Sequence, residues 1–245
     1  MSNQGECAII IPVKGGRNIP IHQIQLTVIS YNLKRHKAYP EVTRLANTYT
    51  PDILCLQECF TKELEKKASF LRLATKTSTG KLGLAIYYRT KRFKVRDNLS
   101  YPIKQSVIER VRQAQRPRLL VTRLYDKQNH QDFLVGCFHA TEISASNYLR
   151  RQQIKIAMET LIELSDGAPA ILIGDFNYPF FKQSLHRLLD QYNYSLAASS
   201  APTFKSFYYK GEIDFAVGVN VKGIHVANLP FGLSDHAPIL ASVQY

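Results

Sequence analysis

The chain has 245 residues, 45% hydrophobic and 21% charged, which is ordinary globular usage and excludes a disordered or fibrous polypeptide. Its 32 Lys and Arg against 19 Asp and Glu leave a formal charge of +13, an excess that favours polyanionic partners such as nucleic acid or an anionic membrane surface. Cys7, Cys55, Cys59 and Cys137 form no CxxC pair and no zinc spacing, and no run approaches the roughly 18 apolar residues of a membrane span.

Residues 1–25 hold Pro12, Gly15, Gly16 and Pro20 and show little periodicity, so they read as an N-terminal extension ahead of a single domain over 26–245. Their apolar run is too short for a signal-peptide core, and no basic segment precedes it. The expectation is a soluble protein, with the cytoplasm favoured and secretion without a cleaved signal left open. From residue 26 onward, short β-branched and apolar runs predict buried strands at 26–32, 52–58, 82–88, 118–125, 132–139, 170–176, 212–218 and 237–243. Helical spacing appears between some of them. A helix is predicted over about 40–48, a longer one from Ser146 to Leu164 and a third from Phe180 to Gln191. Cys55 and Cys137 sit inside apolar runs, where a reduced, buried thiol is expected. Strands and helices mix throughout with no linker, which predicts one α/β domain of at least two layers.

Charge is uneven along the chain. Lys81 to Arg123 carries twelve Lys and Arg against Asp97 and Glu109, and its KRFKVR run (91–96) and Arg110–Arg118 series read as a phosphate-binding ridge.

Polar groups recur where apolar strands end: Asn32 after LTVISY, Glu58 after DILCLQ, His139 after FLVGCF, and Asp175 and Asn177 in ILIGDFN. Asp214 interrupts EIDFAV, and Asp235 with His236 precedes the last strand in LSDHAPIL. Each alone fits a cap or a turn. Together they would gather at one edge of an α/β sheet, the edge where ligands bind.

The ordered set YN (31–32), LQE (56–58), His139 after its strand, GDFN (174–177), Thr203-Phe204 with Glu212-Ile213-Asp214, and SDHAP (234–238) resembles the endonuclease/exonuclease/phosphatase superfamily, whose members include deoxyribonuclease I-like enzymes. That resemblance covers about residue 26 to the C-terminus. It implies a four-layer α/β sandwich with two packed mixed β-sheets and a divalent-metal-dependent phosphoesterase. Mg²⁺ is the implied cofactor, with Mn²⁺ as its substitute. A hard cation takes oxygen ligands, which assigns the metal to Glu58 with Asn32 and Asp235 beside it. Asp175 would orient and deprotonate the attacking water, and Asn177 would hold that water or the phosphate. His236 would stabilise the developing charge or act as general acid, and Asp214 would fix its tautomer. His139 would be a second imidazole on the phosphate, as in the deoxyribonuclease and sphingomyelinase branch.

The chain also departs from the family pattern. Lys34 stands where many repair-type members carry an acid, Phe204 where the pattern has Trp, and Glu212 where it has a basic residue. The strand at 82–88 lacks the carboxylate that orients the first histidine in the deoxyribonuclease branch, leaving Glu142 as a substitute. Lys34, Arg116 and Arg118 are the expected substrate contacts. The leading expectation is a monomeric endonuclease hydrolysing DNA or RNA backbones. Its alternatives are a sphingomyelinase-like or phosphoinositide phosphoesterase on an anionic lipid or inositol phosphate, and a non-catalytic nucleic-acid-binding relative.

Overall fold

Unbroken apolar runs become strands covered on both faces, and this chain has enough of them for two sheets. A computed structural model describes residues 26–78, 81–101, 103, 117–180, 182–192, 194 and 196–245. The expected extension over 1–25, Cys7 and Arg116 lie outside these residues. In chain order the strands begin with β1 (Leu26–Asn32), β2 (Ile53–Cys59), β3 (Lys67–Ala68), β4 (Leu71–Lys76), β5 (Gly83–Arg89) and β6 (Phe93–Tyr101). They continue with β7 (Leu119–Asp126), β8 (Gln131–His139), β9 (Ala170–Asp175) and β10 (Leu196–Ala197). The last five are β11 (Phe204–Lys205), β12 (Lys210–Gly211), β13 (Asp214–Val219), β14 (Gly223–Asn228) and β15 (Ile239–Gln244). Helix α1 spans Val42–Tyr49, α2 Asn147–Ser165 and α3 Lys182–Asp190.

One sheet has the order β14-β15-β1-β2-β5-β4-β3 and the other β10-β13-β9-β8-β7-β6. Both are mixed. Each holds one parallel pair near its centre, β1 with β2 and β8 with β9, flanked by antiparallel neighbours. Alternation within each strand builds the layers. Val28, Ile53, Cys55, Ile86, Val135 and Ile173 face inward and form the core between the sheets. Ile29, Leu54, Leu56 and Tyr87 face the opposite way and pack under α1. Leu134, Leu172, Phe215 and Val217 pack under α2 and α3. The result is the expected four-layer α/β sandwich with two packed mixed sheets. Cys55 and Cys137 are free, buried thiols, as expected.

Helix α2 starts one residue later than expected because Ser146 is its cap, its hydroxyl accepting the Leu149 N–H at 3.3 Å. It ends where Asp166 turns left-handed and Gly167 follows at φ 81°. Its buried face includes two polar residues that brace the loops leaving the sheet. Gln153 accepts the Thr141 N–H at 2.9 Å, and Arg150 donates to the Glu142 carbonyl at 2.7 Å.

Of the basic ridge expected over Lys81–Arg123, Lys104, Arg110, Arg112 and Arg116 lie outside the described residues, Lys91 and Lys94 are exposed, and the arginines of 91–96 pair with carboxylates. Phe93–Arg96 belong to edge strand β6, and Arg92 is buried at the end of the sandwich where β2 begins and β7 ends. Its guanidinium donates to Asp126 at 2.8 Å and to Asp52 at 2.9 Å, and the Tyr245 hydroxyl donates to Asp126 at 2.5 Å. Arg96 and Arg123 both turn to Asp132. Arg92 needs its two carboxylates because a buried charge without a partner is costly, whereas Arg96 and Arg123 make partly exposed pairs with Asp132.

Burial alone would raise the Asp126 carboxyl, but hydrogen bonds from Arg92 and Tyr245 overcome it and hold the carboxyl below its ordinary range. A depressed carboxyl contributes stability that is present above its unfolded pKa and lost as pH falls through the folded one. Arg92→Met should therefore lower stability by about 3–5 kcal/mol near neutral pH, with the deficit shrinking as the solution is acidified. Urea unfolding of both proteins across the acid range checks it; a deficit independent of pH would contradict it.

Candidate active site

The two parallel pairs end at one edge of the sandwich, and their registers bring polar side chains together there. Asn32 lies opposite Gln57 in the first sheet, and His139 lies opposite Asp175 in the second. Strand β13 runs against β9, so its first residue, Asp214, also pairs with Asp175. Asp214 therefore opens its strand rather than interrupting it.

Gly174 makes this arrangement possible. A Cβ at that position would sit 1.9 Å from the Phe138 carbonyl oxygen, so only glycine lets β9 pass its parallel neighbour just before the site. Asp175 is buried and is the hub. The Asn32 amide donates to its Oδ2 at 3.0 Å across the sheets. Asn177 donates its backbone N–H to Oδ1 at 2.9 Å and its amide to Oδ2 at 3.1 Å. Asn177 can do both because it takes a left-handed conformation, φ 48°, which asparagine tolerates better than most residues. Two imidazoles flank the same oxygen, His139 Nε2 at 3.5 Å and His236 Nε2 at 3.7 Å.

His236 is held from every side. Its Nδ1 meets the Asp214 carboxylate at 3.0 and 3.2 Å. The Ser234 hydroxyl accepts the His236 N–H at 3.1 Å and donates to the Asn32 carbonyl at 2.7 Å, tying the last loop to the first strand. The Thr203 hydroxyl accepts the N–H groups of Ile213 and Asp214, both at 3.1 Å. Phe204 covers the imidazole with ring centres 4.9 Å apart, so Phe fills the Trp position of the family pattern. Glu41 clamps the same loop by accepting from the Tyr31 hydroxyl at 2.8 Å and the Leu233 N–H at 2.9 Å. Neither Ser234, Thr203 nor Glu41 was assigned a role from sequence. The serine beside D-H and the threonine before the aromatic carried a signal, whereas Glu41 carried none.

The electrostatics follow from the burial. Desolvation raises the Asp175 carboxyl to about 7; the neighbouring Asp214 charge adds to this, while His236 and the Asn32 and Asn177 hydrogen bonds oppose it. Burial disfavours a charged His236, but the carboxylates of Asp214 and Asp175 outweigh it and raise the imidazole to about 9.

Glu58 sits at a bulge where β2 loses register with β5, at φ 53°. Its Oε2 accepts the Arg35 N–H at 2.8 Å, and Oε1 lies 3.9 Å from His139 Nε2. The cleft beside it is lined by Gly83, Arg118 and His139. Arg118 is buried and donates to the His139 carbonyl at 3.1 Å, so it braces the strand end that carries the imidazole. Glu142 is exposed. The Lys34 ammonium lies 3.1 Å from Asp235, and its backbone N–H donates to Asn32 Oδ1 at 3.0 Å. Glu212 pairs with Lys182 at 2.5 Å, so the acid in the basic position of the pattern is neutralised from α3.

Asn32, Glu58 and Asp235 are all oxygen donors, the set a hard divalent cation takes. Among them Glu58 fits best, a partly exposed carboxylate with one oxygen anchored and the other facing the cleft. Asp175, Asp214 and His236 also converge, their ligand atoms all within 4.8 Å of one another. That group can hold a metal only by giving up the His236–Asp214 hydrogen bond.

The pattern of the Endonuclease/Exonuclease/phosphatase family matches residues 29–236, and the chain belongs to that family. It is accordingly a hydrolase of the phosphoesterase class. No curated protein sequence matches it. Among solved structures, the mannosyl-6-phosphatase of Bacteroides thetaiotaomicron superposes with a TM-score of 0.71 at 22% identity, covering 90% of this chain and 100% of the other. The human Nocturnin catalytic domain with bound sulfate anion gives 0.69 at 17% identity, covering 89% and 94%. D. rerio TDP2 complexed with single-strand DNA product gives 0.67 at 16% identity, covering 90% and 99%. At these identities the likeness is one of fold.

The dyad has a direct test in metal-free protein. With the carboxylate removed in Asp214→Asn, burial should dominate and the His236 titration, followed by NMR of the ring nitrogens, should fall from about 9 toward or below neutral. A titration unmoved by the substitution would mean that Asp214 does not set the charge of the imidazole.

Proposed function

We propose that the chain is a divalent-metal-dependent phosphodiesterase that cleaves the backbone of nucleic acid. The observation that carries the reading is the Asp175 hub, a buried carboxylate held by amides from both sheets between two imidazoles. Its chemistry is that of in-line attack on a phosphoryl centre. Asp175, raised toward neutrality, receives a proton from water and orients the resulting nucleophile. Asn177 directs its amide at the same oxygen and keeps the water from rotating away. His236, cationic near neutral pH because Asp214 and Asp175 stabilise its charge, presents Nε2 to the oxygen on which negative charge grows. His139 places a second ring N–H on the other side of that oxygen. Glu58, with Asn32 and Asp235, would hold the cation, which supplies neutralisation of the phosphoryl charge when bound. Lys34, where repair-type relatives carry an acid, places a fixed positive charge at Asp235 and favours a single-metal site.

Nucleic acid is favoured as substrate by the +13 charge of the chain. The complex of D. rerio TDP2 with a single-strand DNA product supports the same class by fold analogy. With the 91–96 arginines committed to carboxylates, backbone contact falls to residues at the site's edge, including Lys34.

Supercoiled plasmid should be nicked in Mg²⁺ or Mn²⁺ and not in EDTA. Asp175→Ala and His236→Ala should each lower the rate by roughly 10²- to 10⁴-fold while circular dichroism stays that of the wild type. Near-normal nicking by either variant would refute the assigned roles. No nicking by folded wild-type protein, with release of phosphate from a sugar phosphate or an inositol phosphate instead, would move the substrate to phosphomonoesters.

A further inference from the structure

The segment between Thr203 and Asp214 does more than cover His236. Strands β11 and β12 form a hairpin whose four-residue connection is closed by the Ser206 N–H on the Tyr209 carbonyl at 2.8 Å and by the Tyr209 N–H on the Ser206 hydroxyl at 3.0 Å. The turn pins Phe207 and Tyr208 at its tip, each 93% exposed. Two neighbouring large aromatic side chains so fully in water forgo burial worth several kcal/mol, an arrangement that marks a contact surface more than a packing accident.

The hairpin is fastened to the catalytic loops on both sides. The Lys205 N–H donates to the Asp235 carbonyl at 2.9 Å, the Ala237 N–H to the Thr203 carbonyl at 2.6 Å and the Tyr209 hydroxyl to the Pro179 carbonyl at 3.3 Å. Its rings continue those of the site. From His236 ring contacts run to Phe204 at 4.9 Å, to Tyr209 at 6.2 Å and to the half-exposed Phe180 at 5.6 Å, while Phe207 and Tyr208, which precede Tyr209 in the turn, contact each other at 4.9 Å. Residues 203–211 contain Lys205 and Lys210 and no acid.

We infer that this hairpin is a base-stacking ledge for single-stranded nucleic acid, with Phe207 and Tyr208 taking unpaired bases next to the scissile phosphate. The inference rests on the nuclease reading above and deepens it by naming the strand state of the substrate. Exposed rings flanked by Lys205 and Lys210 suit a polymer that carries both flat bases and phosphates, and stacking needs no sequence recognition. A duplex hides its base faces, so the ledge serves an unpaired or frayed strand. A lipid surface would meet the same two rings, but it gives no reason for fastening the hairpin to the loop that carries His236.

The test is fluorescence anisotropy in EDTA with fluorescein-labelled oligo-dT of 15 nucleotides, an abasic strand of the same length, and the corresponding duplex. Wild-type protein should bind oligo-dT more tightly than either of the others. Phe207→Ser with Tyr208→Ser, a change confined to exposed side chains, should weaken oligo-dT binding by at least about 10-fold and leave the abasic strand unaffected. Equal binding of oligo-dT and the abasic strand by wild type, or unchanged oligo-dT binding by the variant, overturns the ledge while leaving the nuclease reading intact if the plasmid is still nicked. Binding to phosphatidylserine-containing vesicles that the variant loses, with no oligonucleotide bound and no nicking by wild type, overturns both and assigns the hairpin to a membrane surface.

Discussion

The hydrogen bond from the Asn32 amide to the Asp175 carboxylate, at 3.0 Å, joins the two sheets at the edge where the polar strand ends gather. Each partner ends the first or second strand of a parallel pair. The bond forms only if both pairs terminate at the same height and the sheets stack in register. The rest of the site depends on that coincidence. Ser234 reads the position of Asn32 through its carbonyl, His236 follows Ser234, and Asp214 follows Asp175 through the β9–β13 register. The site is thus a consequence of sheet geometry more than of any one loop.

Burial gives these groups their chemical character. In water Asp175 would be an ordinary carboxylate with negligible affinity for a proton at neutral pH, and His236 would be mostly neutral. Inside the sandwich edge, desolvation raises the first, and the carboxylates beside the second raise it further than desolvation lowers it. The His236 charge, with hydrogen bonds from the Asn32 amide and the Asn177 N–H, opposes the loss of charge by the buried carboxylate. The opposite end of the sandwich solves a similar problem differently. Asp126 is equally buried, but the Arg92 guanidinium and the Tyr245 hydroxyl lie against it and hold it firmly ionised. One buried aspartate is left poised near neutrality and the other is locked in its ionised form.

Much of this was legible in the sequence, and unevenly so. The central strands announced themselves because burial on both faces demands continuous apolar runs, as in LTVIS, ILCLQ and AILIG. The outlying strands β4, β6 and β14 did not, since their exposed positions carry Lys, Arg, Asn and His. That is also why KRFKVR resembled a phosphate-binding ridge. Its charge was visible in sequence, but its partners Asp52, Asp126 and Asp132 are distant in the chain. The polar strand ends were readable as a set, because a polar residue closing a buried strand needs a reason. Their mutual geometry was not, and neither was the bond that ties Arg118, which lines the cleft beside Glu58, to the His139 carbonyl. The full exposure of Phe207 and Tyr208 is a property of the turn that holds them.

The claim on which the account rests is that Asp175 is held across the sheets and tuned by its neighbours. Carbon-13 NMR titration of the aspartate carboxyls in metal-free protein, wild type beside Asn32→Ala, tests it most directly. The Asn32 amide stabilises the charged carboxylate, so its removal must raise the pKa. The account predicts an Asp175 resonance titrating near 7 in the wild type and higher in the variant. A resonance in the ordinary carboxylate range, unmoved by the loss of Asn32, would contradict it.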